Sequence, residues 1–292
     1  MTEIIYLTPA DDLQTALDAA PQGAEIHLAA GEYRQKVMLH VPGLTIRGAG
    51  ADKTRLVYDD YAQKIDELGR EYNTFRTYTV AVCADGVTME DLSIVNDALN
   101  PKEKGQEVAL SVVADDFTMK NCTLSSTQDT LFNGPLPPDL ILRYTNFHRE
   151  ELLRGGEMKQ CFENCLIEGS VDFIFGCANA VFENCEIRSL YDGRSCGFVA
   201  APAHSPEQKK GLCFRRCRFT RGDGVQPGSV FLARPWRDYG LAVFEDCTYD
   251  VHIAREGFDK WNDTNRDETA RFFEAPAVAG RVEWANRPER MS

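Results

Sequence analysis

Residues 161–167 read CFENCLI and residues 181–187 read VFENCEI, and close variants of this pattern recur along the chain. In each copy an apolar residue is followed by two mostly polar residues, Cys or Leu, one further residue and a final apolar residue. The shared Cys or Leu falls at positions 92, 122, 165, 185, 217 and 247, in steps of 30, 43, 20, 32 and 30 residues. Such steps, each with its own strands, are typical of a solenoid.

The apolar residues inside each copy predict how its strands are arranged. Residues 182, 185 and 187 are apolar, so the apolar face changes parity once, at Asn184, as a bend between two short strands requires. One copy cannot bury its apolar face alone, but copies stacked about 4.8 Å apart form a continuous core with a ladder of cysteines inside it. The pattern therefore predicts an all-β fold, a single-stranded right-handed parallel β-helix.

Two segments have helical rather than strand-like patterns. DDLQTALDAAP, residues 11–21, has apolar residues at helical spacing. We expect a short N-terminal helix here that caps the open end of the solenoid and covers unpaired strand edges. YAQKIDELGREY, residues 61–72, is the second predicted helix.

The step of 43 residues is 23 longer than the shortest step, and the additional residues contain Pro135, Pro137 and Pro138. Because proline cannot donate to a sheet, we expect an excursion from the solenoid at about residues 133–160. Both an inert surface loop and a flap beside a ligand site fit this excursion. No Ser/Gly-rich linker or change of composition divides the chain, so we predict one domain over residues 1–292.

Composition and charge limit the partners of the protein. The chain has 292 residues, of which 43% are hydrophobic, and a net charge of −13. This charge opposes binding to nucleic acid or to an anionic membrane surface. The first residues lack the basic and apolar regions of a signal peptide, and no later stretch approaches the about 18 apolar residues of a membrane-spanning helix. We expect a cytoplasmic monomer for the chain as written, or a secreted protein if a leader has been removed.

The ten cysteines favour neither disulfides nor a metal site. Cys161 and Cys165 are four residues apart in an extended segment, as are Cys213 and Cys217. Each pair is therefore separated by about 13 Å along one strand, whereas the Cα atoms of a disulfide lie within about 7 Å. We predict reduced thiols that pack as small apolar side chains, and no bound metal.

Four stretches carry candidate catalytic groups, and a solenoid would bring them onto adjacent rungs. They are GQEVAL with Gln106, STQDTLF with Gln128 and Asp129, GSVDFIFG with Asp172, and FLARPW with Arg234 and Trp236. A carboxylate held by Arg stays ionised while one in apolar surroundings takes up a proton, so two aspartates can serve as nucleophile and as acid and base. Amide N–H groups can stabilise an oxyanion. Taken singly, each residue is also explained as a turn cap or as part of a solvated ladder.

These four segments, in this order, resemble the signature segments of pectin methylesterases, which are carbohydrate esterases on a right-handed parallel β-helix. The similarity extends to LQTALDAAPQGAEIHLAAGEYRQKV and LTIRGAGADKTRLV near the start, and to GFDKW and GRVEW near the end. It covers nearly the whole chain.

The resemblance implies a role for each matching residue. Asp172 would attack a galacturonate methyl ester, and Asp129 would protonate the departing methoxide and later activate water. Gln106 and Gln128 would stabilise the oxyanion, and Arg234 would orient Asp172. The residues implied to contact substrate are Trp236, Phe175, Val171 and Phe132. No cofactor or metal is implied.

The sequence also departs from the family pattern. Phe132 stands where a tyrosine is common, Ala233 replaces a glycine, and Asp129 and Asp172 lie 43 positions apart, about twice the family's usual separation. Together with the acidic charge, which suits neutral, highly methylated fragments better than a polyanion, this favours pectin oligosaccharides. Our hypothesis is a bacterial intracellular enzyme that trims imported methylated oligogalacturonides.

The sequence is also compatible with functions other than this one. GRSCG, Gly193 to Gly197, matches the nucleophile motif of serine esterases, but an extended run ending in proline follows Ser195 where that motif needs a helix. A β-helix lyase or polygalacturonase would need calcium carboxylates or acids with histidine, and neither motif is present. A non-catalytic carbohydrate-binding solenoid and an esterase for another ester both fit the residues described above.

Overall fold

The chain winds through three parallel sheets in the computed structural model, which describes residues 2–98, 101–145 and 148–290. Strands are numbered β1 to β25 in chain order. Sheet A contains β1 Ile4–Leu7, β2 Glu25–Leu28, β5 Thr45–Arg47, β8 Thr88–Glu90, β11 Phe117–Lys120, β14 Lys159–Glu163, β17 Asn179–Glu183, β20 Leu212–Arg215, β23 Leu241–Glu245 and β25 Arg271–Ala275. Sheet B contains β3 Gly31–Tyr33, β6 Thr54–Tyr58, β9 Ser93–Asn96, β12 Thr123–Ser125, β15 Leu166–Gly169, β18 Glu186–Ser189, β21 Arg218–Arg221 and β24 Thr248–Tyr249. Sheet C contains β4 Val37–Leu39, β7 Val80–Val82, β10 Leu110–Val112, β13 Leu131–Asn133, β16 Val171–Gly176, β19 Gly197–Pro202 and β22 Val230–Ala233.

Each coil contributes one strand to each sheet. The chain passes through β14, β15 and β16, and the next three strands stack on these in the same order. Neighbouring strands in all three sheets are parallel, as for β14 beside β17. The predicted parallel β-helix is therefore confirmed, and positions one coil apart become spatial neighbours.

The turn between sheets A and B repeats along the solenoid at the position where the sequence pattern changes parity. The residues there have left-handed backbone conformations, with φ between 50° and 55°: Asp91, Asn121, Asn164, Asn184, Arg216 and Asp246. Asn and Asp tolerate this conformation better than most residues because their short polar side chains bond locally. The bend predicted at Asn184 is thus present in each of these coils.

The core is a set of side-chain ladders that run along the solenoid. Phe162, Phe182, Phe214 and Phe244 stack with adjacent ring centroids 4.8, 4.7 and 4.9 Å apart. Beside them the thiols of the cysteine ladder contact backbone oxygens, as Cys185 does at Phe162, and all ten cysteines are free. Truncating one such buried ring to Ala costs about 3–5 kcal/mol, so the ladder is a principal source of stability.

A short helix covers the N-terminal end of sheet C, as predicted. It is α1 Leu13–Ala19, whose N-cap Asp12 accepts a hydrogen bond from the Thr15 N–H. The Gln14 amide donates to the Met38 carbonyl at 2.9 Å and accepts from the Met38 N–H at 2.7 Å. Met38 lies in β4, the edge strand of sheet C. The Gln14 side chain therefore satisfies an edge that would otherwise be unpaired.

Residues 61–72 are not helical, so the second predicted helix is wrong. One carboxylate oxygen of Asp66 accepts hydrogen bonds from the Leu68 and Arg70 N–H groups, and Ile65 pairs with Glu71 in an antiparallel bridge. Asp side chains compete with helical backbone bonding in this way, and a helical apolar spacing does not reveal it.

The remaining helices are short and lie outside the sheets. They are α2 Pro101–Lys104, α3 Pro138–Tyr144 and the 3-10 turns Thr74–Arg76, Glu150–Leu153, Arg266–Glu268 and Pro288–Arg290. α3 lies between β13 and β14, inside the predicted excursion, and Asp139 ties it to Arg237 through two hydrogen bonds of 3.2 and 2.8 Å. Within the described ranges, no helix has the length and apolar character needed to cross a membrane.

Candidate active site

Two carboxylates lie on adjacent rungs at the start of sheet C strands. β13 pairs with β16, and the pairing extends upstream of β13, where Gln128 bridges to Val171. The Asp129 N–H donates to the Val171 carbonyl at 3.1 Å. Asp129 and Asp172 therefore follow equivalent positions on neighbouring coils and line one cavity.

The segment around Asp172 breaks the alternation of an ordinary strand. Asp172 and Phe175 line the cavity, whereas Phe173 and Ile174 between them are buried in the core. The register between β16 and β19 shifts between Val171 and Ile174, and Asp172 has a φ of 49°. A bulge of this kind redirects a side chain, and left-handed non-glycine residues concentrate at functional sites. It presents the carboxylate outward on a rigid strand.

Arg234 holds Asp172 from two strands away. It follows β22, and its guanidinium donates to both carboxylate oxygens of Asp172, at 2.8 and 2.7 Å. The guanidinium carbon lies 3.8 Å from the ring centroid of Phe198 and 4.1 Å from that of Trp261. The two hydrogen bonds, together with the packing of the guanidinium on both rings, fix the orientation of the carboxylate.

The two carboxyl groups differ in their electrostatic surroundings. Burial raises the pKa of Asp129 well above its ordinary value, and the charge of Asp172 raises it further. Burial also raises the pKa of Asp172, but the hydrogen bonds and charge of Arg234 oppose that rise. These effects favour a proton on Asp129 and the ionised form of Asp172.

Two amides complete the polar part of the cavity. Gln106 and Gln128 both line it, and the Gln128 side chain lowers the pKa of the Asp129 carboxyl, against the larger effect of burial. The Gln128 oxygen accepts a 2.7 Å hydrogen bond from Arg194. Arg194 was not identified as a site residue from the sequence, although it lies inside the GRSCG segment. The arrangement combines two carboxyl groups of different proton affinity and two amides.

The cavity has a volume of about 440 Å³ and an aromatic wall. Trp236 and Phe175, two of the predicted substrate contacts, line it together with Phe75. Val171 lies instead in an adjoining cavity. Phe132 lies beneath the surface at 2% exposure, with its ring centroid 5.1 Å from that of Phe175. Phe132 is thus placed to support the aromatic wall.

Part of the cavity wall comes from the excursion between β13 and β14. Leu140, Arg143 and Tyr144 of α3 line the cavity that contains both aspartates. Trp261, from the GFDKW segment, also lines it. The sequence signalled the excursion through its prolines, but no pattern in the sequence indicated which face α3 would cover.

Two other features of the surface lack this combination of groups. Ser195 of GRSCG precedes the strand β19 rather than a helix, so the serine-esterase arrangement is absent around it. A groove of about 490 Å³ on sheet A is lined by Cys161, Val181 and Cys213, and burial raises the pKa of both thiols, which keeps them protonated rather than nucleophilic. Among the described residues no group of three or more His, Cys, Asp or Glu side chains is arranged to hold a metal ion.

Comparison with protein families assigns most of the chain to one of them. The family model described as Pectinesterase matches residues 6–135 and 150–288. The chain is 32% identical to Pectinesterase 31 of Arabidopsis thaliana over 275 residues, which are 90% of this chain and 77% of that protein. It is 30% identical to Pectinesterase 3 of Citrus sinensis over 282 residues, and these cover 91% of this chain but 44% of that protein. The chain therefore spans less than half the length of the Citrus relative.

Solved structures share the fold over almost the full chain. Pectin methylesterase from carrot is 26% identical, with a TM-score of 0.79, and the match covers 96% of this chain and 86% of that chain. A pectin methylesterase in complex with a hexasaccharide is 24% identical, with a TM-score of 0.81, and covers 99% of this chain and 94% of that chain. Residues 136–149, which include α3, fall between the two segments that the family model matches.

Proposed function

The chain belongs to the pectinesterase family, and from this premise we propose that it hydrolyses methyl esters of galacturonate units in pectin or methylated oligogalacturonides and releases methanol. The observation that carries the proposal is the pair of buried carboxyls, in which Arg234 holds Asp172 in two hydrogen bonds and Asp129 lies on the next rung. The pair supports a mechanism in which a nucleophile and an acid act in one cavity.

In the first proposed half-reaction, an Asp172 carboxylate oxygen forms a bond to the carbonyl carbon of the methyl ester. The carbonyl electrons move to its oxygen, which Gln106 and Gln128, both in the cavity lining, stabilise through their amide N–H groups. The tetrahedral intermediate then collapses, the bond to methoxide breaks, and Asp129 gives its proton to the departing oxygen. The raised pKa of Asp129 supports this role because it keeps the proton available.

In the second half-reaction, Asp129 is ionised and accepts a proton from water. The oxygen of that water attacks the acyl carbon bonded to Asp172, and collapse of the second intermediate releases the galacturonate carboxyl and restores the Asp172 carboxylate. Asp129 regains its proton in the same step. The sum is one ester and one water converted to one acid and one methanol, with no metal in any step.

The proposal extends to substrate length through the wall that α3 builds. Leu140, Arg143 and Tyr144 border the cavity, which supports a preference for short methylated oligosaccharides over polymer. The trimming of imported fragments, the monomeric state and the cytoplasmic or secreted location stay predictions.

The test is methanol release from highly methylated pectin and from methylated trigalacturonate, with EDTA present. We expect wild-type protein to release methanol from both, and Asp172→Asn to lose at least about 10³-fold in kcat because the nucleophile is gone while the shape of the side chain is kept. Asp116→Asn is the matched control, because Asp116 is exposed on a turn and also has a positive φ, of 54°.

Three outcomes contradict the proposal in different ways. Equal activity of Asp172→Asn and wild type would remove Asp172 from the reaction. Loss of methanol release in EDTA would point to a metal-dependent reaction. No methanol from wild-type protein with either substrate would leave a carbohydrate-binding solenoid or an esterase for another ester.

A further inference from the structure

The GRSCG segment, set aside as a serine-esterase motif, carries a cation that contacts the proposed oxyanion donor. Arg194 lies in the loop before β19, and its Nη2 donates a 2.7 Å hydrogen bond to Oε1 of Gln128. Arg194 touches neither Asp129 nor Asp172 through any hydrogen bond found within the described residues. Its direct contact with the site is therefore the Gln128 amide oxygen.

A guanidinium has five N–H donors and no acceptor, so it can face only the oxygen end of an amide. A glutamine amide that is free to rotate can present either its oxygen or its NH₂ group to a substrate. With Arg194 on Oε1, the NH₂ end of the Gln128 amide is the end that remains for the cavity, and the Gln128 side chain lowers the pKa of the neighbouring Asp129 carboxyl, as a hydrogen-bond donor does. The contact thus selects the one orientation in which Gln128 can donate to an oxyanion.

We propose that Arg194 is a positioning residue for ester hydrolysis, which orients the Gln128 amide as an oxyanion donor and supplies the second positive charge beside the two aspartates. This inference rests on the proposed esterase function. Arg194 contacts Gln128 rather than the reacting atoms, and its charge acts on the aspartates through space.

Arg194 is itself held in place, as a positioning residue needs to be. The buried carboxylate of Asp192 accepts a 3.0 Å hydrogen bond from the Arg194 backbone N–H and lies 3.3 Å from Arg194 Nη1. The same Asp192 carboxylate accepts a 2.6 Å hydrogen bond from the Ser170 hydroxyl, two residues before Asp172. The chain of contacts therefore runs from the strand that carries Asp172, through Asp192 and Arg194, to Gln128.

The charge of Arg194 also acts on the aspartates. Although burial raises the pKa of both Asp129 and Asp172, the Arg194 charge lowers both values, as the charge of Arg234 does. Asp259 acts in the opposite direction on Asp172. Loss of the Arg194 charge would therefore raise the pKa at which Asp172 ionises, which a pH profile can detect.

The alternative role for Arg194 is a direct contact with substrate. Arg194 also lines the adjoining cavity of about 530 Å³, and 27% of its side chain is exposed, so a sugar carboxylate could reach it. The two roles separate kinetically. A substrate contact acts mainly on KM, whereas a group that orients an oxyanion donor acts mainly on kcat.

Three substitutions of Arg194 separate its effect on the orientation of Gln128 from the effect of its charge. The activity of each variant is measured as methanol release from methylated trigalacturonate. Arg194→Met removes both, and we expect kcat to fall about 10- to 100-fold while KM changes by less than about threefold. This fall in kcat is somewhat smaller than the loss of about 10²–10³-fold on removal of an oxyanion donor, because Gln128 itself is still present. Arg194→Lys keeps the charge and a donor, and we expect kcat within about fivefold of wild type. Arg194→Gln keeps a donor without charge, and we expect an intermediate kcat.

The pH profile gives the second readout. In Arg194→Met and Arg194→Gln, the acidic limb of kcat/KM should move to higher pH, because Asp172 loses a nearby positive charge; in Arg194→Lys it should stay in place. Arg188→Met is the control, because Arg188 is a comparably exposed arginine whose partners are Glu186 and Glu168, outside the cavity. Its kcat, KM and pH profile should match wild type.

Each result decides between the roles. A kcat of Arg194→Met within about twofold of wild type, or a raised KM at constant kcat, would overturn the positioning role. An acidic limb that moves equally in the Lys and Gln variants would overturn the charge role. If Arg194→Met does not fold, as judged by its melting curve, the Lys and Gln variants decide the question. Wild-type protein without methanol release would reject the esterase function itself, whereas active wild type with unaffected variants would reject only this inference.

Discussion

At the scale of single residues, the candidate site contains left-handed backbone conformations and buried carboxyl groups, both of which are unfavourable for folding. Asp129 and Asp172 are buried non-glycine residues with φ of 63° and 49°. Burial raises the pKa of both carboxyls, so each is costlier to ionise in the folded chain than in the unfolded chain. Such features persist where the surrounding structure determines them and function requires them. The stability of the solenoid therefore has to offset the cost of the candidate active site.

Asp129→Asn should lower the activity of the protein and raise its melting temperature at neutral pH. Because the pKa of Asp129 is raised in the folded state, the folded protein binds more protons, and stability is lost as pH rises through the folded pKa. Asn cannot ionise, so the melting temperature of the variant should exceed that of wild type at about pH 7, by about 2–4 °C for each kcal/mol. The difference should vanish below the unfolded pKa, near pH 4, where Asp129 is neutral in both states.

The measurement is a pair of melting curves across this pH range, with Asp116→Asn as the control. Asp116 is exposed, so its substitution should give no stabilisation that grows with pH. A melting temperature for Asp129→Asn that falls below wild type at neutral pH would show that the charged carboxylate stabilises the fold. It would also remove the reason for placing the proton on Asp129.

The residues of the site were predictable where a local motif contains them and not elsewhere. VDFIFG and TQDTLF contain Asp172 and Asp129, both of which have left-handed backbone conformations, so a short sequence pattern is enough to identify them. Arg194 contacts Gln128 across 66 positions, and its hydrogen bond depends on how the loop before β19 folds over the previous coil. No spacing rule reports a contact of that kind.

At the scale of elements, α3 lies outside the segments that match the family model but lines the cavity of the candidate active site. It lies in residues 136–149, between the segments that the family model matches, yet three of its side chains line the cavity. Asp139 of α3 pairs with Arg237, which also lines the cavity. The segments that match the family therefore contain the proposed catalytic groups, while this helix contributes to the wall of their cavity.

Loosening α3 should change substrate preference rather than chemistry. Asp139→Ala removes the tether to Arg237, and we expect the ratio of kcat/KM on methylated trigalacturonate to that on highly methylated pectin to fall at least about threefold. Replacing residues 136–149 with a short Gly-Ser linker should lower the ratio further, because the wall that narrows the cavity is then absent. Both variants should still release methanol.

The control for this comparison is Glu150→Ala, an exposed position on the 3-10 turn that follows α3 and is not part of the cavity lining. Its substrate ratio should equal that of wild type. A ratio unchanged in both α3 variants would make the excursion an inert surface feature, the other interpretation that the sequence allowed.

The sequence predicted the strands correctly where a pattern repeats from coil to coil along the chain. The Cys and Leu steps located the coils, because each coil has to place an apolar residue at the same point of the core. The helix predicted at residues 61–72 was wrong because a few hydrogen bonds to Asp66 decide that segment, and these bonds do not alter its apolar spacing. The excursion was visible from its prolines, but the position of α3 over the cavity depends on a contact with Arg237 almost a hundred residues later.

At the scale of the whole molecule, the negative net charge repels an acidic substrate, whereas the arginines of the cavity attract it. The chain carries −13, which repels a polyanion at long range. The cavity is lined by Arg143, Arg234 and Arg237, of which Arg234 and Arg237 pair with aspartates. The long-range repulsion should therefore dominate the approach of a de-esterified polymer, while a neutral methylated oligosaccharide should experience little of either effect.

Ionic strength tests this balance. The Debye length falls from about 30 Å at 0.01 M salt to about 10 Å at 0.1 M, so added salt should screen the repulsion between the protein and partly de-esterified pectin. We expect kcat/KM on that polymer to rise about two- to fivefold over this range, while kcat/KM on fully methylated trigalacturonate changes by less than about 1.5-fold, because a neutral ligand has no charge to screen. The trigalacturonate measurement is thus the internal control for effects of salt on the enzyme. A fall in kcat/KM on the polymer with added salt would mean that the arginines of the cavity, rather than the net charge, govern its binding, and that charged pectin is a better substrate than the acidic surface implies.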